Sequence, residues 1–233
     1  MFSNACSIVS QAMFPIFKFS QGAANQITLD ISTTGFFTSS EGHFVTVAHV
    51  SDGLAANEKL VYLGLLPDSV SSAPIDITEI ARDDTADILV GKIDLKNTKY
   101  LSLSKKPASV GKTICIAGYP LPVIALNAQG GFDFSGMRRY YQPSFVLDSI
   151  KMNLTKPKPR THDGYLIRDV GLYGMSGGPV FDTNGTVIGM QSSVTDPRES
   201  VNGAQKILVQ NAVAIKSLLI LELMKAKGIQ VGK

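Results

Sequence analysis

The sequence is poor in the residues that build metal sites, disulfide frameworks and membrane spans. Its 233 residues include no Trp, and its few thiols and imidazoles are Cys6, Cys115, His43, His49 and His162. Two thiols cannot form a disulfide-dense scaffold or a four-thiolate zinc site, and no Cys or His pair has zinc-motif spacing. No run approaches the roughly 20 apolar residues that span a bilayer. We therefore expect no metal, no cofactor and no membrane insertion.

Charge is also scarce. Charged residues make up 18% of the chain and the net charge is +3, which is too small to favour a nucleic-acid partner. Residues 130–163 are richer in Lys and Arg and could form a docking patch for an acidic partner, although solvated loops are the commoner interpretation. The first basic residue is Lys18, so the N-terminus makes a poor secretory signal. We expect a cytoplasmic or virus-associated protein.

What the sequence does contain is a series of short β-type runs. They are rich in Val, Ile, Phe and Thr and are separated by Gly, Pro, Asn and Asp, a pattern typical of β sandwiches and barrels. Asn184-Gly185 predicts the tip of a hairpin. After Ser217, Leu and Met recur at helical spacing, which predicts a C-terminal helix that Gly228 ends. The first residues predict a short helix that leads into a first strand.

Three segments carry the candidate chemistry: VTVAHV with His49, TADILV with Asp87, and GMSGGPV with Ser176. The last one satisfies G-x-S-x-G, the pattern of an α/β-hydrolase nucleophile elbow. That fold needs its His after the Ser in the chain, and the last His here is His162. A subtilisin-like order would need Asp30 ahead of His49 in a doubly wound chain, which the β runs do not offer.

The remaining order is His49, Asp87, Ser176, the order of chymotrypsin-like double barrels. Each residue also has an ordinary interpretation, as a His after a strand, a turn Asp and a Ser in a Gly-rich turn. Asp83 and Asp84 are alternative acids, and Asp87 is preferred because it directly precedes an apolar strand. His43 is expected to be exposed in a turn, and His162 to lie in a loop.

With IAGYP at Ile116–Pro120, these segments resemble the trypsin/chymotrypsin-like serine protease superfamily (PA clan). They look closer to its small bacterial Deg-type and viral branches without a PDZ domain. The resemblance covers roughly residues 33–215 and implies an all-β fold of two packed six-stranded antiparallel barrels with a C-terminal helix. The expected divisions are an N-terminal helix or extension over residues 1–26, barrels over 27–105 and 106–216, and a helix over 217–233 lying on the second barrel.

The resemblance implies a serine endopeptidase that hydrolyses protein or peptide substrates through an acyl-enzyme. In that chemistry His49 is the base, Asp87 orients it, and Ser176 is the nucleophile. The backbone N–H groups of Gly174 and Ser176 would form the oxyanion hole. Met175 stands where digestive members carry an Asp, so we expect no activation of the trypsinogen type.

The resemblance also assigns the substrate contacts. Val170, six residues before the nucleophile, would form the floor of the primary pocket and argues against selection of Lys or Arg, although Asp169 precedes it. The substrate would pair as a strand with Ser192, Ser193 and Val194. Val194 would shorten the pocket, which favours small or medium apolar residues. The alternative is a trypsin-like fold that acts as a binding module or awaits a regulatory protein partner.

Overall fold

Strands form most of the chain that the computed structural model describes, which is residues 2–22, 27–66, 68–69, 73–120, 125–126, 132–154, 160–195, 198–201, 204–207 and 210–232. The helices in these residues are α1 (Ser3–Ser10) and α2 (Ser217–Ala226). The strands are β1 (Met13–Gln21), β2 (Ile27–Phe37), β3 (His43–Val47), β4 (Glu58–Tyr62), β5 (Ile75–Asp76), β6 (Thr78–Asp83), β7 (Ile88–Lys92), β8 (Thr113–Gly118), β9 (Ala125–Leu126), β10 (Phe132–Asp133), β11 (Tyr140–Leu154), β12 (Arg160–Ile167), β13 (Pro179–Phe181), β14 (Val187–Thr195), β15 (Arg198–Val201), β16 (Ala204–Ile207) and β17 (Asn211–Lys216).

The first sheet has seven antiparallel strands in the order β5-β4-β1-β2-β3-β7-β6. Its interior is aromatic: the ring centroid of Phe14 lies 4.6 Å from that of Phe37, 5.4 Å from Phe44 and 5.0 Å from Tyr62. Burial of such rings is a large source of stability in a β domain. These rings belong to a core that continues into buried residues of the barrel and of α2, such as Phe181 and Ile220.

Two features of this sheet differ from expectation. Strand β1 pairs with both β2 and β4, so the sheet starts at Met13 and not at the predicted residue 27. The missed strand contains Pro15, which lacks the backbone donor that a central strand uses, and its ladder with β2 has a bulge at Ile16/Phe17. Within the described residues the outer strands β5 and β6 do not pair, so the sheet is a half-barrel instead of a closed six-stranded barrel.

The second sheet is the closed six-stranded barrel that the resemblance implies, with the strand order β11-β12-β17-β14-β13-β8. The predicted Asn-Gly hairpin connects β13 to β14, and the N–H of Gly185 donates to the carbonyl of Asp182 at 2.9 Å. Ile114, Ile116 and Val180 are among the buried residues of its interior. The fold class is thus confirmed, with one complete barrel and one half-barrel.

Helix α2 lies at the junction of the two sheets. It packs against β14 and β17 of the barrel and also against β6 of the first sheet, where we expected it on the second barrel alone. Ile220 and Met224 are fully buried there, because helical spacing places them on one face. In the described part of the chain no helix has the length and apolar character needed to cross a bilayer.

Candidate active site

His49 lies on a single 3₁₀ turn, Ala48–Ser51, directly after β3. The neighbouring Ala48 and Val50 are buried and anchor the turn, whereas the imidazole is 34% exposed. Its Nδ1 lies 2.9 Å from Oδ2 of Asp87 and 3.1 Å from Oδ1. Nδ1 is therefore occupied by the carboxylate, and Nε2 is the nitrogen left to take up a proton.

Asp87 is almost fully buried, with 1% of its surface exposed, just before β7. Its φ of 61° is in the left-handed region, which Asp tolerates better than most residues. Oδ1 accepts the backbone N–H of His49 at 3.0 Å, and Oδ2 accepts the hydroxyl of Ser192 at 2.7 Å. Burial alone would raise the pKa of Asp87, but hydrogen bonds from His49 and Ser192 and the charge of Arg160 hold it below its ordinary value. The carboxylate is therefore ionised at neutral pH.

The two alternative acids have other partners. One carboxylate oxygen of Asp83 accepts the N–H groups of Thr85 and Ala86, each at 2.9 Å. Asp84 pairs with Arg82 at 2.6 Å. Of the three acids, Asp87 is the one that contacts His49, in agreement with the preference drawn from the apolar strand that follows it.

The nucleophile segment consists of two consecutive turns. The N–H of Met175 donates to the carbonyl of Leu172 at 3.1 Å, and the N–H of Gly178 donates to the carbonyl of Met175 at 2.9 Å. Gly174 and Gly177 occupy the third positions with φ of 88° and 80°, values that favour glycine there. An added Cβ would collide with the carbonyl oxygen of Tyr119 at Gly174 and of Thr34 at Gly177. Both conformation and space thus require the two glycines.

The backbone of this segment leaves two donors available. Among the described residues, neither the N–H of Gly174 nor that of Ser176 donates to a protein acceptor. The carbonyl of Ser176 accepts the N–H of Thr34 at 2.9 Å and the hydroxyl of Thr33. These threonines lie on β2 of the first sheet, so the half-barrel holds the nucleophile turn of the barrel. Two unpaired N–H groups beside a Ser are what an oxyanion hole requires.

The hydroxyl of Ser176 donates to the carbonyl of Ser192 at 3.0 Å. In the described part of the chain no hydrogen bond joins Ser176 to His49, although sequence reasoning places the base within reach of the nucleophile. A rotation of the hydroxyl about the Cα–Cβ bond would be needed to engage the imidazole. Such contacts are often loose in structures without substrate.

Comparison with known families matches residues 33–190 to the trypsin-like peptidase domain. This span is more than half of the chain and runs from β2 through His49, Asp87 and the nucleophile turn. The chain belongs to the trypsin-like peptidase family.

Relatives with this domain are considerably longer. Serine protease Rv3671c of Mycobacterium tuberculosis (strain H37Rv) is 29% identical over 161 residues, which are 67% of this chain and 34% of that protein. A probable periplasmic serine endoprotease DegP-like of Halomonas elongata is 29% identical over 163 residues, or 69% of this chain and 29% of that protein. The trypsin-like peptidase chain thus spans about a third of the length of the relatives it matches.

Solved structures agree in fold. The active form of the Rv3671c protease has a TM-score of 0.64 over 98% of this chain and 86% of its own, at 18% identity. The HtrA-type protease AlgW with a decapeptide has a TM-score of 0.70 over 97% of this chain and 67% of its own, also at 18% identity. The family match and these structures confirm the trypsin-like peptidase family and its fold.

The predicted primary pocket of this trypsin-like peptidase contains a side chain that sequence reasoning overlooked. Gln191 is 1% exposed, and its amide lies against Gly171, where it would collide with an added Cβ. Its Nε2 lies 3.4 Å from the carbonyl of Ser193. From β14, the strand that also carries Val194, the side chain thus extends toward the segment that carries Val170. Val170 is half-buried and Val194 is 37% exposed.

Polar atoms without partners lie in the same region. Oε1 of Gln191 and Oδ2 of Asp169 are buried and accept no hydrogen bond from the described residues. The carbonyl of Asp169 accepts the N–H of Ala212 at 2.8 Å, so this acid is fixed to β17 one position before the predicted floor. Orphaned buried oxygens are uncommon in proteins and call for an explanation.

The strand predicted to bind substrate has an available edge. β14 pairs with β17 from Gly189 to Thr195, but with β13 only from Val187 to Met190. Along Ser192–Val194 no other described strand occupies the edge opposite β17. Ser192 itself uses its hydroxyl for Asp87 and its carbonyl for Ser176, contacts that sequence reasoning did not foresee.

The other two His lie elsewhere. His43 begins β3 and is half-buried instead of exposed, because its Nδ1 lies 3.0 Å from the hydroxyl of Ser39. His162 lies in β12 opposite Met152 of β11, so the loop prediction is wrong. The β run there is short of apolar residues, which is why it was missed. In the part of the chain that the structure describes, no three His, Cys, Asp or Glu side chains converge as a metal site would require.

Proposed function

We propose that this chain is a serine endopeptidase that cleaves protein or peptide substrates, with His49, Asp87 and Ser176 as its catalytic triad. The observation that carries the proposal is the Asp87 carboxylate, buried and bonded to both Nδ1 and the backbone N–H of His49. This arrangement fixes the imidazole tautomer with the proton on Nδ1, which leaves Nε2 free to act as a base. The unpaired N–H groups of Gly174 and Ser176 supply the second requirement, which is a pair of donors for an oxyanion hole.

Each step uses a group that the site contains. Ser176 turns from the Ser192 carbonyl, and its Oγ bonds to the scissile carbonyl carbon while its proton passes to Nε2 of His49. The carbonyl oxygen becomes an oxyanion that the N–H groups of Gly174 and Ser176 stabilise, each by about 3 kcal/mol in the transition state. The C–N bond then breaks as His49 returns the proton to the amine. Water repeats the sequence on the acyl-enzyme and releases the acid.

A fluorophosphonate probe tests the nucleophile. We expect the wild-type protein to be labelled once, at the peptide that contains Ser176, and Ser176→Ala to remain unlabelled. Ser109→Ala is the matched control, because Ser109 is an exposed Ser on the connection between the sheets, and it should be labelled like the wild type. Labelling of Ser176→Ala at the wild-type rate would contradict the assignment.

For specificity, we propose a preference for a small or medium apolar residue before the cleaved bond, with Val170 in the pocket floor. The position of Gln191 supports a short pocket, because its amide lies against Gly171. Val194 on the opposite wall carries a branched side chain that would shorten it further. The substrate backbone would add to Ser192, Ser193 and Val194 as an antiparallel strand, since no described strand pairs with that stretch on the side opposite β17.

Cleavage of a peptide library tests this preference, and Gln191→Ala sharpens it. We expect Ala, Val or Thr to dominate before the cut, and Gln191→Ala to admit larger apolar residues. Leu221→Ala, at a half-buried site on α2, is a control that should keep the wild-type profile. Dominance of Lys or Arg would overturn the proposal and would assign the pocket floor to the unpaired oxygen of Asp169.

A second candidate is a trypsin-like fold that acts as a binding module or as a protease that a regulatory protein partner must activate. It is favoured by the hydrogen bond that Ser176 makes, within the described residues, to the Ser192 carbonyl and not to His49. Well-folded wild type that the fluorophosphonate does not label would support this candidate. Labelling of the isolated chain would exclude it. A cytoplasmic or virus-associated setting stays a prediction.

A further inference from the structure

Arg160 is a barrel residue whose side chain reaches the triad. It begins β12, yet it is only 7% exposed, because its guanidinium crosses to the first sheet. Nη2 lies 2.6 Å from Oδ2 of Asp52, and Nε lies 3.5 Å from Oδ1 of Asp87. The next residue also contacts the first sheet, since the N–H of Thr161 donates to the carbonyl of Thr85 at 2.8 Å.

Asp52 connects this arginine to the turn that carries His49. It directly follows the 3₁₀ turn, and its N–H donates to the carbonyl of His49 at 3.1 Å. Its second carboxylate oxygen pairs with Nη2 of Arg82 at 2.7 Å, and Nη1 of Arg82 donates to the hydroxyl of Ser51 at 2.6 Å. Two arginines, one from each sheet, thus hold the end of the His49 turn.

The contact between Arg160 and Asp87 is electrostatic. Nε of Arg160 is buried and makes no hydrogen bond within the described residues, so it does not compete with His49 or Ser192 for the carboxylate. A buried cation needs opposite charge nearby, and within the described residues Asp52 and Asp87 are the carboxylates at ion-pair distance. A positive charge at 3.5 Å favours the ionised form of Asp87.

We propose that Arg160 is a positioning residue for the triad. Its planar guanidinium holds Asp52, and through it the His49 turn, while its charge stabilises the Asp87 carboxylate that orients the imidazole. Its effect on turnover rests on the proposed function, whereas its effect on the His49–Asp87 geometry does not. A lysine would supply the charge but not the rigid fork that spans two carboxylates.

The test compares Arg160→Met, Arg160→Lys and the control Arg138→Met by kcat and KM on a fluorogenic peptide, per active site titrated with fluorophosphonate. Displacement of a catalytic group by about 1 Å can cost about 100-fold. We expect Arg160→Met to lower kcat about 10- to 100-fold with KM within about twofold, and Arg160→Lys to lie between it and the wild type. Arg138 is exposed, and its hydrogen bonds within the described residues go to nearby carbonyls, so its variant should match the wild type.

A second readout is independent of turnover. The proton between His49 Nδ1 and Asp87 should give a downfield proton NMR resonance in the wild type that broadens or vanishes in Arg160→Met. Wild-type kcat per titrated site in Arg160→Met, or in Arg160→Lys if the Met variant does not fold, would overturn the proposal. A resonance as sharp in these variants as in the wild type would also overturn it. Failure of the wild type to hydrolyse peptides or react with the probe would count against the proposed function, and the resonance would still decide the role of Arg160.

Discussion

The carboxylate of Asp87 and the hydroxyl of Ser176 belong to one candidate site, but the protein surrounds them differently. Asp87 is buried and accepts hydrogen bonds from His49 and Ser192, with Arg160 nearby. Ser176 lies in a glycine-rich turn, and within the described residues its hydroxyl has one hydrogen bond, to the carbonyl of Ser192. The acid half of the site, which is Asp87 with its partners, is thus assembled in advance. The nucleophile half, which is Ser176 with its turn, has unpaired N–H donors and a rotatable hydroxyl that the proposed reaction would use on the substrate.

The two halves also depend on each other across the cleft. The barrel contributes Ser192 and Arg160 to the acid of the first sheet. The first sheet contributes Thr33 and Thr34 to the nucleophile turn of the barrel. Contacts from both sheets thus surround Asp87 and Ser176, in addition to the bonds that each makes within its own sheet, such as those of Asp87 with His49.

Of the variants that change the acid half, Asp87→Asn should lower kcat most. The amide keeps the shape of the carboxylate but would favour the wrong imidazole tautomer, which costs about 10⁴-fold in kcat in a triad of this kind. Steady-state hydrolysis of a fluorogenic peptide measures the loss. Asp76→Asn is the control, because the exposed Asp76 pairs with Lys59 and not with His49. A loss under tenfold in Asp87→Asn would show that the acid half is not what orients the base.

Gly174→Ala tests the nucleophile half. The added methyl group would meet the carbonyl of Tyr119 in a residue already at positive φ, so the turn would shift and displace an oxyanion donor. We expect kcat to fall about 10²- to 10³-fold.

Gly111→Ala is the control that separates the effect of backbone strain at a positive φ from the effect of a position in the nucleophile turn. Gly111 has a similar φ of 78°, but an added Cβ there meets nothing within 4 Å. It should lose some stability, measured by urea unfolding, and keep wild-type kcat. Equal losses of kcat in both variants would remove the distinction between the nucleophile turn and the rest of the molecule.

Thr34→Val tests whether the first sheet supports the nucleophile turn, and its expected loss of kcat is smaller. The hydroxyl of Thr34 donates to the carbonyl of Gly174 at 2.8 Å and accepts the N–H of Tyr119 at 3.0 Å. Loss of both bonds at similar side-chain volume should lower kcat about tenfold. Thr98→Val is the control, since it loses one bond to the carbonyl of Ser39 far from the cleft. Unchanged kcat in Thr34→Val would mean that the first sheet does not support the turn.

The acid half should also leave a small signature in the pH dependence of stability. The pKa of Asp87 in the folded protein is below its ordinary value, which is about 3.9 for an unfolded chain. As the pH falls, the unfolded chain therefore binds the proton first, and the contribution of Asp87 to stability is present above about pH 4 and is lost below it. Urea unfolding of wild type and Asp87→Asn should show a difference at pH 6 that shrinks at pH 3. A stability difference that grows as the pH falls would mean that folding raises the pKa of Asp87 instead of lowering it.

Local motifs were sufficient to predict the three candidate catalytic residues and the family. His49 and Ser176 each stand in a short segment whose neighbours restrict the backbone, and Asp87 precedes an apolar strand. A β sandwich or barrel was predictable from the short β runs, and the closed six-stranded barrel from the family resemblance. Strand β1 was not, because Pro15 makes a central strand look improbable, although the bulge beside it accommodates the ring.

The supporting contacts could not be predicted because they join residues distant in the chain. Arg160 meets Asp52 over 108 positions, and Thr33 meets Ser176 over 143. No spacing rule connects such residues, and packing of the two sheets brings them together. Gln191 and Gly171 are also separated in the chain, and the fold brings the Gln191 amide against Gly171. Sequence patterns thus identify candidate reacting groups, and the fold determines what holds them.

The central claim is that Asp87 acts on catalysis through His49. It is tested most directly by introducing Asp87→Asn into a His49→Ala background and measuring peptide hydrolysis. His49→Ala alone should lower kcat about 10⁶-fold and leave a residual rate above that of buffer. We expect Asp87→Asn then to cause no further loss, because the imidazole that it orients is absent. A further drop to the buffer rate would contradict it.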